Sequence, residues 1–316
     1  MTAGTHTANG TGGGRGQPPP PEEAPGLRWR RRAAELTTLW RMETAELPGV
    51  GTLLREWRQR RRLSQLQLAL DAGSSARHVS CVETGRARPS RAMVLRLAGT
   101  LDVPLRERNT LLLAAGYAPA FHESRMDAAG MAAVRSALDV MLGAHEPHPA
   151  VVVDRLWNVV SANAAMGRLL TGLPPALLGP PANMYRTALH PEGLLPRLVN
   201  ADEVRGHLLG RLLRQVRASG DAGLRALYDE VAAHGPPGTA DTAHDGAAGP
   251  VVIPVRLRSP RGELAMFSTI ATFGAPADVT LSELAVESFH PLDDATARRF
   301  ADLAADADAA DAEDGR

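Results

Sequence analysis

Capping residues and glycines divide the stretch from Gly51 to Gly116 into five short segments with helical apolar spacing. Ser64 and Ser75 are of the type that caps a helix by accepting a hydrogen bond from a free backbone N–H. Gly73 and Gly85 can take the positive φ at which a helix commonly ends. Apolar side chains recur at intervals of three and four, as in Val94, Leu97, Ala98 and Leu101. The pattern predicts five short helices, the second and third joined by a sharp turn at Gly73.

Charge is distributed unevenly along the chain. There is no lysine, and 35 arginines balance 35 acidic residues. Residues 27–125 hold 18 arginines and nine acids, a net charge of +9, whereas residues 301–316 hold one arginine and six acids, a net charge of −5. A basic third around two helices joined by a sharp turn favours a polyanionic partner such as nucleic acid. A solvated, arginine-rich surface is the alternative interpretation.

Residues 63–90, LSQLQLALDAGSSARHVSCVETGRARPS, resemble the helix-turn-helix of XRE and lambda-repressor-like regulators. The resemblance implies an all-α lambda-repressor-like domain whose third helix enters the DNA major groove. It implies that Gln65 holds a phosphate and braces the third helix, and that Arg77 reads a guanine. The other implied contacts are Ser75, Ala76, Ser80 and Cys81 toward the groove, and Arg86 and Arg88 toward phosphates. It also implies a structural ion pair between Arg58 and Glu83.

The second half of the chain alternates short β-branched runs with helical segments. A run at 150–154 is followed by a turn, a second run at 159–161 and a helix capped by Asn163. The β-rich end comprises the runs 251–259, 263–274 and 281–289, the first two with apolar residues at period two. This half resembles the ligand-binding domain of MmyB-like transcription regulators, in VDRLWNVVSANAAM, NMYRTALHPEGL and FGAPADVTLSELAVESFHPLDDAT. The resemblance implies an α/β PAS-like fold.

A polar cluster and three aromatic side chains are the candidate ligand-binding residues of this half. The cluster comprises Asn183, Tyr185, Arg186 and His190. It suits a ligand carboxylate or hydroxyl, since arginine can form two hydrogen bonds with a carboxylate; a loop held by its own hydrogen bonds is the alternative. The aromatic candidates, for pocket wall or core, are Trp157, Phe267 and Phe273. Because only 4% of the residues are aromatic, an aliphatic, fatty-acid-like ligand is favoured over a flat cofactor.

The predicted organisation has five parts. They are a disordered, low-complexity extension (1–46), the helix-turn-helix domain (47–120), a connector (121–149), the PAS-like domain (150–300) and an acidic tail (301–316). Within the extension, residues 27–46 suit a short basic helix, and Met42 is an alternative start of the natural protein. A single cysteine excludes an internal disulfide, and no segment suits a membrane span or a secretory signal. These features favour a cytoplasmic protein.

The sequence therefore predicts a sequence-specific regulator that binds double-stranded operator DNA as a homodimer and senses a small apolar molecule. The alternative is a ligand-independent interaction protein that uses the helix-turn-helix as a docking module. Motifs for hydrolase nucleophiles, zinc proteases, phosphate-binding loops and dinucleotide binding are all missing from the sequence. No enzymatic activity, cofactor or metal is therefore expected.

Overall fold

Five short helices form the N-terminal part of the protein, as the capping pattern predicts. The computed structural model describes residue 1, residues 48–235 and residues 253–314. The first helices are α1 (Val50–Arg60), α2 (Gln65–Asp71), α3 (Ala76–Glu83), α4 (Arg91–Thr100) and α5 (Leu105–Ala114). Ser64 caps α2 by accepting from the Gln67 N–H at 3.0 Å, and Ser75 caps α3 by accepting from the His78 N–H at 3.2 Å. Gly73 turns the chain between α2 and α3 with a φ of 59°.

One apolar core holds these five helices together. Each helix contributes side chains that are almost wholly buried, among them Leu54, Leu68, Val79, Leu97 and Leu112. Burying a side chain of this size contributes about 1.5–3 kcal/mol. The packed core of the five helices therefore holds α3 in place, with its outer face away from that core.

A five-stranded antiparallel sheet with surrounding helices forms the C-terminal domain. Its strands are β1 (Ala150–Val153), β2 (Val159–Ala162), β3 (Val255–Ser259), β4 (Gly262–Thr272) and β5 (Ala285–Pro291), in the spatial order β2-β1-β5-β4-β3. Its helices are α6 (Ala132–Ala144), α7 (Ala164–Leu170), α8 (Pro175–Leu178), α9 (Met184–Leu189), α10 (Ala201–Ser219), α11 (Ala222–Ala232), α12 (Val279–Ser282) and α13 (Asp294–Asp314). The predicted fold class, an all-α helix-turn-helix domain followed by an α/β PAS-like domain, is confirmed.

Strand β1 is buried on both faces because apolar clusters lie on each side of the sheet. Val151 and Val153 belong to the cluster that contains α9 and α10, whereas Ala150 and Val152 pack with Leu138 of α6. Successive residues of a strand point to opposite faces, which produces this division. Helix α6, which the sequence predicts as part of a connector, thus packs on the sheet.

The strand predicted at 281–289 begins later than its apolar pattern indicates. Residues 279–282 form α12, because Asp278 caps this turn by accepting from the Leu281 N–H at 3.3 Å. Strand β5 therefore starts at Ala285, and the prediction is wrong for the residues before it.

Some predictions concern segments outside the described residues. They are the extension 1–46 beyond Met1, the basic helix at 27–46, the strand residues 251 and 252, and most of the loop at 234–250. Both folded domains lie in one unit of the chain, Gly49–Arg316. Within the part of the chain that is described, no helix has the length and apolar character to cross a membrane.

Candidate functional site

The outer face of α3 carries the side chains predicted to read DNA. Val79 and Val82 lie on its buried inner face, each with 1% of the residue's surface exposed. Arg77, near the start of the helix, is exposed and is the long charged side chain of this outer face. Of the other predicted groove residues, Ser75 is exposed and Ala76, Ser80 and Cys81 are half-buried. The arrangement leaves a guanidinium free to reach the edge of a base.

A buried carboxylate at the end of α3 ties this helix to α1 and α2. Glu83 accepts from Arg58 twice, at 2.6 Å and 2.9 Å, and from the Gln65 side-chain amide at 2.9 Å. Arg55 completes the cluster at 3.5 Å. Burial acts to raise the pKa of Glu83, but the hydrogen bonds from Arg58 and Gln65 outweigh it and the pKa is lowered. Glu83 therefore stays ionised and fixes the angle at which α3 is presented.

The remaining predicted DNA contacts differ in how free their side chains are. Arg86 is exposed in the turn after α3. Arg88 donates to the Ala115 carbonyl at 3.1 Å, and its guanidinium lies 5.7 Å from the centre of the Tyr117 ring. Gln65 directs its amide N–H at Glu83. The structure thus places Arg77 and Arg86 free in solvent and gives Arg88 and Gln65 partners within the protein.

A cavity of about 90 Å³ lies between the sheet and the helices of the C-terminal domain. Its wall is mainly aliphatic and thioether groups from α7, α9, α10 and the strands, including Met166, Met184, Leu194, Leu208, Val255 and Met266. Of the seven predicted ligand residues, all of them described, only Tyr185 lines this cavity.

Two members of the predicted polar cluster hold the local structure. The Asn183 side chain caps α9 by accepting from the Tyr185 N–H at 3.1 Å, and it donates to the Leu156 carbonyl at 2.8 Å. Arg186 donates to both carboxylate oxygens of Glu230, at 2.6 Å and 2.8 Å. These contacts match the alternative interpretation, a loop held by its own hydrogen bonds.

The other predicted ligand residues pack beside the cavity wall or elsewhere. The Trp157 indole donates to Gln215 at 2.8 Å. The ring of His190 meets that of His234 at 4.9 Å, and Phe267 stacks on His290 at 5.1 Å. Phe273 packs with the apolar cluster on the α6 side of the sheet.

Five polar side chains gather in one part of the cavity wall. They are Tyr185, His207, Arg211, Ser268 and Glu287. Arg211 donates to the Tyr185 hydroxyl at 2.9 Å and to Glu287 at 3.2 Å, and Ser268 donates to Glu287 at 2.9 Å. The Arg211 guanidinium lies 4.1 Å from the centre of the Trp157 ring. The cavity is therefore apolar with one concentrated polar region.

Burial alters the acidity of this polar region. The pKa of Tyr185 is raised by burial, and the pKa of His207 is lowered by burial and by the nearby charges of Arg211 and Arg214. Burial also acts to lower the pKa of Arg211, but contacts with Tyr185 and Glu287 outweigh it and leave the pKa raised. At neutral pH the cavity therefore holds a charged arginine and neutral tyrosine and histidine side chains.

Sequence reasoning missed four of these five residues, although two of them carried a signal. Glu287 is a lone acid within an apolar β-strand run, and Arg211 interrupts the leucine stripe of α10. A charge at a position that the pattern predicts as buried needs a partner or a function.

The two domains touch through the C-terminal end of α10. Arg60 donates to the Ser219 carbonyl and Arg61 to the Ala218 carbonyl, each at 3.2 Å. Arginine suits this position because the last carbonyls of a helix lack partners within the helix and carry partial negative charge.

An ion-pair cluster forms a second contact between the domains. Arg106 of α5 donates to both oxygens of Glu283, at 2.7 Å and 2.9 Å, and also pairs with Glu123. Nearby, burial and the charge of Glu283 raise the pKa of Glu107. Residues of both domains thus share one electrostatic cluster.

Two family models match this chain, one in each domain. Residues 50–111 match a family model described as a helix-turn-helix domain. No curated protein matches the chain. A solved structure titled "Structure of an RNA-binding Light-Oxygen-Voltage Receptor" is 14% identical over 92% of this chain and 69% of its own, with a TM-score of 0.23. Residues 134–303 match the model of the "MmyB-like transcription regulator ligand binding domain". That match covers more than half of the chain, which therefore belongs to the MmyB-like transcription regulator family.

Proposed function

We propose that this ligand-responsive regulator binds operator DNA through α3 as a homodimer in the cytoplasm. In this proposal the cavity binds a small aliphatic, fatty-acid-like molecule, and that binding changes the affinity of the protein for DNA. The observation that carries it is helix α10, which lines the cavity and also contacts the helix-turn-helix.

The DNA-binding half of the proposal rests on the exposed arginines around α3. Arg77 can form two hydrogen bonds with guanine in the major groove, and Arg86 is free to contact a phosphate. Glu83 holds the helix at a fixed angle to its neighbours. A two-fold pair of such domains would place two copies of α3 about one helical turn of DNA apart.

The ligand-binding half of the proposal rests on the composition of the cavity wall. Leucine, methionine and valine side chains surround the space, and the polar groups meet in one region. A wall of this kind binds an apolar body and orients it through a few polar contacts. An aliphatic chain fits this wall better than a flat aromatic cofactor does.

Coupling between the two halves follows from the length and position of α10. Its 19 residues span about 28 Å at the rise of an α-helix. Val204, His207 and Arg211 line the cavity. At the C-terminal end of α10, the Ser219 carbonyl accepts from Arg60, the last residue of α1, and the Ala218 carbonyl accepts from the next residue, Arg61. A ligand that binds one position of α10 better than another therefore changes how the helix-turn-helix domain is held against the end of α10.

Selection of bound sequences from a random DNA pool tests this proposal. One motif with two-fold symmetry is expected, and its affinity should fall steeply as salt rises because bound counterions are released. Adding an aliphatic ligand should change that affinity, and Ala188→Phe, which fills the cavity from α9, should abolish the change. If no DNA sequence is enriched, or if DNA binding does not depend on the salt concentration, a protein-docking role for the helix-turn-helix is supported instead.

A further inference from the structure

The charged side chains that line the cavity cancel one another. Arg211 and Glu287 are one cation and one anion, with 17% and 6% of their side-chain surfaces exposed. His207 is the other titratable nitrogen group of the wall, and its lowered pKa keeps it neutral at pH 7. The polar region thus offers hydrogen bonds without net charge.

We propose that the cavity selects an aliphatic molecule with an uncharged hydroxyl or amide head, and that Glu287 sets this selection. The inference rests on the proposed function, because it names the class of ligand for the same cavity. The expected ligand has the aliphatic chain of a fatty acid, but its head is neutral instead of an ionised carboxylate.

The hydrogen bonds left open in the cluster suit such a head. Arg211 uses Nε for Tyr185 and Nη1 for Glu287, and Ser268 donates to the same Glu287 oxygen, Oε1. Arg211 Nη2 and Glu287 Oε2 form no hydrogen bond with any described residue. A hydroxyl or primary amide can accept from the first and donate to the second, because each of these groups is both donor and acceptor.

A ligand with a charged head lies close to a side chain of the same charge in this cluster. A carboxylate that accepts from Arg211 lies beside the carboxylate of Glu287, and an ammonium that donates to Glu287 lies beside Arg211. Like charges in a shared buried site disfavour each other's ionised forms. Each ion must also give up its hydration to enter an apolar cavity. A neutral head avoids both costs.

Isothermal titration calorimetry of the full chain at neutral pH tests the proposal with three probes of equal chain length. They are decan-1-ol, kept below its solubility limit in water, and decanoate and decylammonium, each kept below the concentration at which it forms micelles. Decan-1-ol should bind at least about tenfold more tightly than either ion, a difference readily resolved in Kd. Because this comparison uses the unaltered protein, it does not depend on how any variant folds.

Glu287→Gln then removes the anion while keeping the shape of the side chain. The Arg211 charge is left uncompensated, so the affinity for decanoate should rise at least about tenfold relative to decan-1-ol. Glu230→Gln is the matched control, since Glu230 pairs with Arg186 on the surface and does not line the cavity. It should leave all three affinities unchanged.

Each other outcome contradicts a different part of the account. If the unaltered protein binds decanoate as tightly as decan-1-ol, or if Glu287→Gln leaves their ratio unchanged, the neutral-head inference is overturned while the cavity keeps its proposed function. If none of the three probes binds, both the inference and the aliphatic-ligand proposal are overturned.

Discussion

Two buried arginine–glutamate pairs, one in each domain, differ in what surrounds them. Glu83 accepts hydrogen bonds from Arg58 and Gln65 within a packed core, with 1% of its side chain exposed. Glu287, with its partner Arg211, faces a cavity. A pair enclosed by protein fixes the position of a helix, whereas a pair that borders a cavity can also recognise a ligand. The same two residue types thus brace α3 in one domain and line the cavity in the other.

The largest expected effect is on stability, at the enclosed pair. Glu83→Ala should lower the free energy of unfolding by about 3–5 kcal/mol, because it leaves Arg58 buried without its partner. Urea denaturation followed by circular dichroism measures this change. The matched control is Glu56→Ala, whose partner Arg60 lies across an exposed turn of α1. Its effect should stay below about 0.5 kcal/mol. Equal losses of unfolding free energy in the two variants would show that the Glu83 ion pair does not stabilise the packing of α3.

The next effect is on DNA recognition, at the exposed arginine of α3. Arg77→Ala should weaken binding to the selected operator by about 1–3 kcal/mol and relax the preference at one base pair. Stability should not change, since the side chain is exposed. Fluorescence anisotropy with single-base operator variants measures both results. Arg225→Ala, an exposed position on α11 of the other domain, is the control, and a uniform loss across all operator variants would make Arg77 a phosphate contact.

A smaller stability effect is expected at the pair that borders the cavity. Glu287→Gln should lower the free energy of unfolding by about 1 kcal/mol, within the range of a single hydrogen bond. The loss is smaller than at Glu83, because water in the cavity and the Trp157 ring can stabilise Arg211. The same urea denaturation compares the two variants directly. A loss as large as that of Glu83→Ala would erase the distinction between the pairs.

The smallest expected effect is on coupling between the domains. Arg60→Met removes an exposed hydrogen bond to the Ser219 carbonyl at the end of α10. The ligand-dependent change in DNA affinity should shrink by about 0.5 kcal/mol, or roughly twofold, with little loss of stability. The neighbouring Arg62 is also exposed. Arg62→Met is therefore the control, and equal effects from the two variants would mean that the contact with α10 carries no coupling.

The helix-turn-helix could be predicted from the sequence because its caps and turn depend on interactions between neighbouring residues. Ser64, Ser75 and Gly73 act on residues within three positions of themselves, so their caps and turn are encoded in a short stretch. The delayed start of β5 has the same origin, because Asp278 is a local cap that competes with an apolar strand pattern. Such a cap is visible in the sequence, but its success against the strand depends on packing.

The cavity depended on contacts between distant residues, which the sequence alone does not reveal. Arg211 of α10 and Glu287 of β5 are separated by 76 residues and meet only in the folded domain. The predicted cluster at Asn183 and Arg186 was compact in sequence, but its partners Leu156 and Glu230 lie 27 and 44 residues away. Those partners satisfy the cluster's hydrogen bonds and leave it with a structural role.

Reciprocal linkage between ligand and DNA tests the central claim most directly. Decan-1-ol should be titrated by calorimetry into the free protein and into the protein saturated with its selected operator. The account predicts that the two affinities differ, and by the same factor by which decan-1-ol changes the affinity for DNA, because coupling free energies are reciprocal. Identical affinities for decan-1-ol in the two states would contradict the claim that the cavity controls the DNA-binding domain.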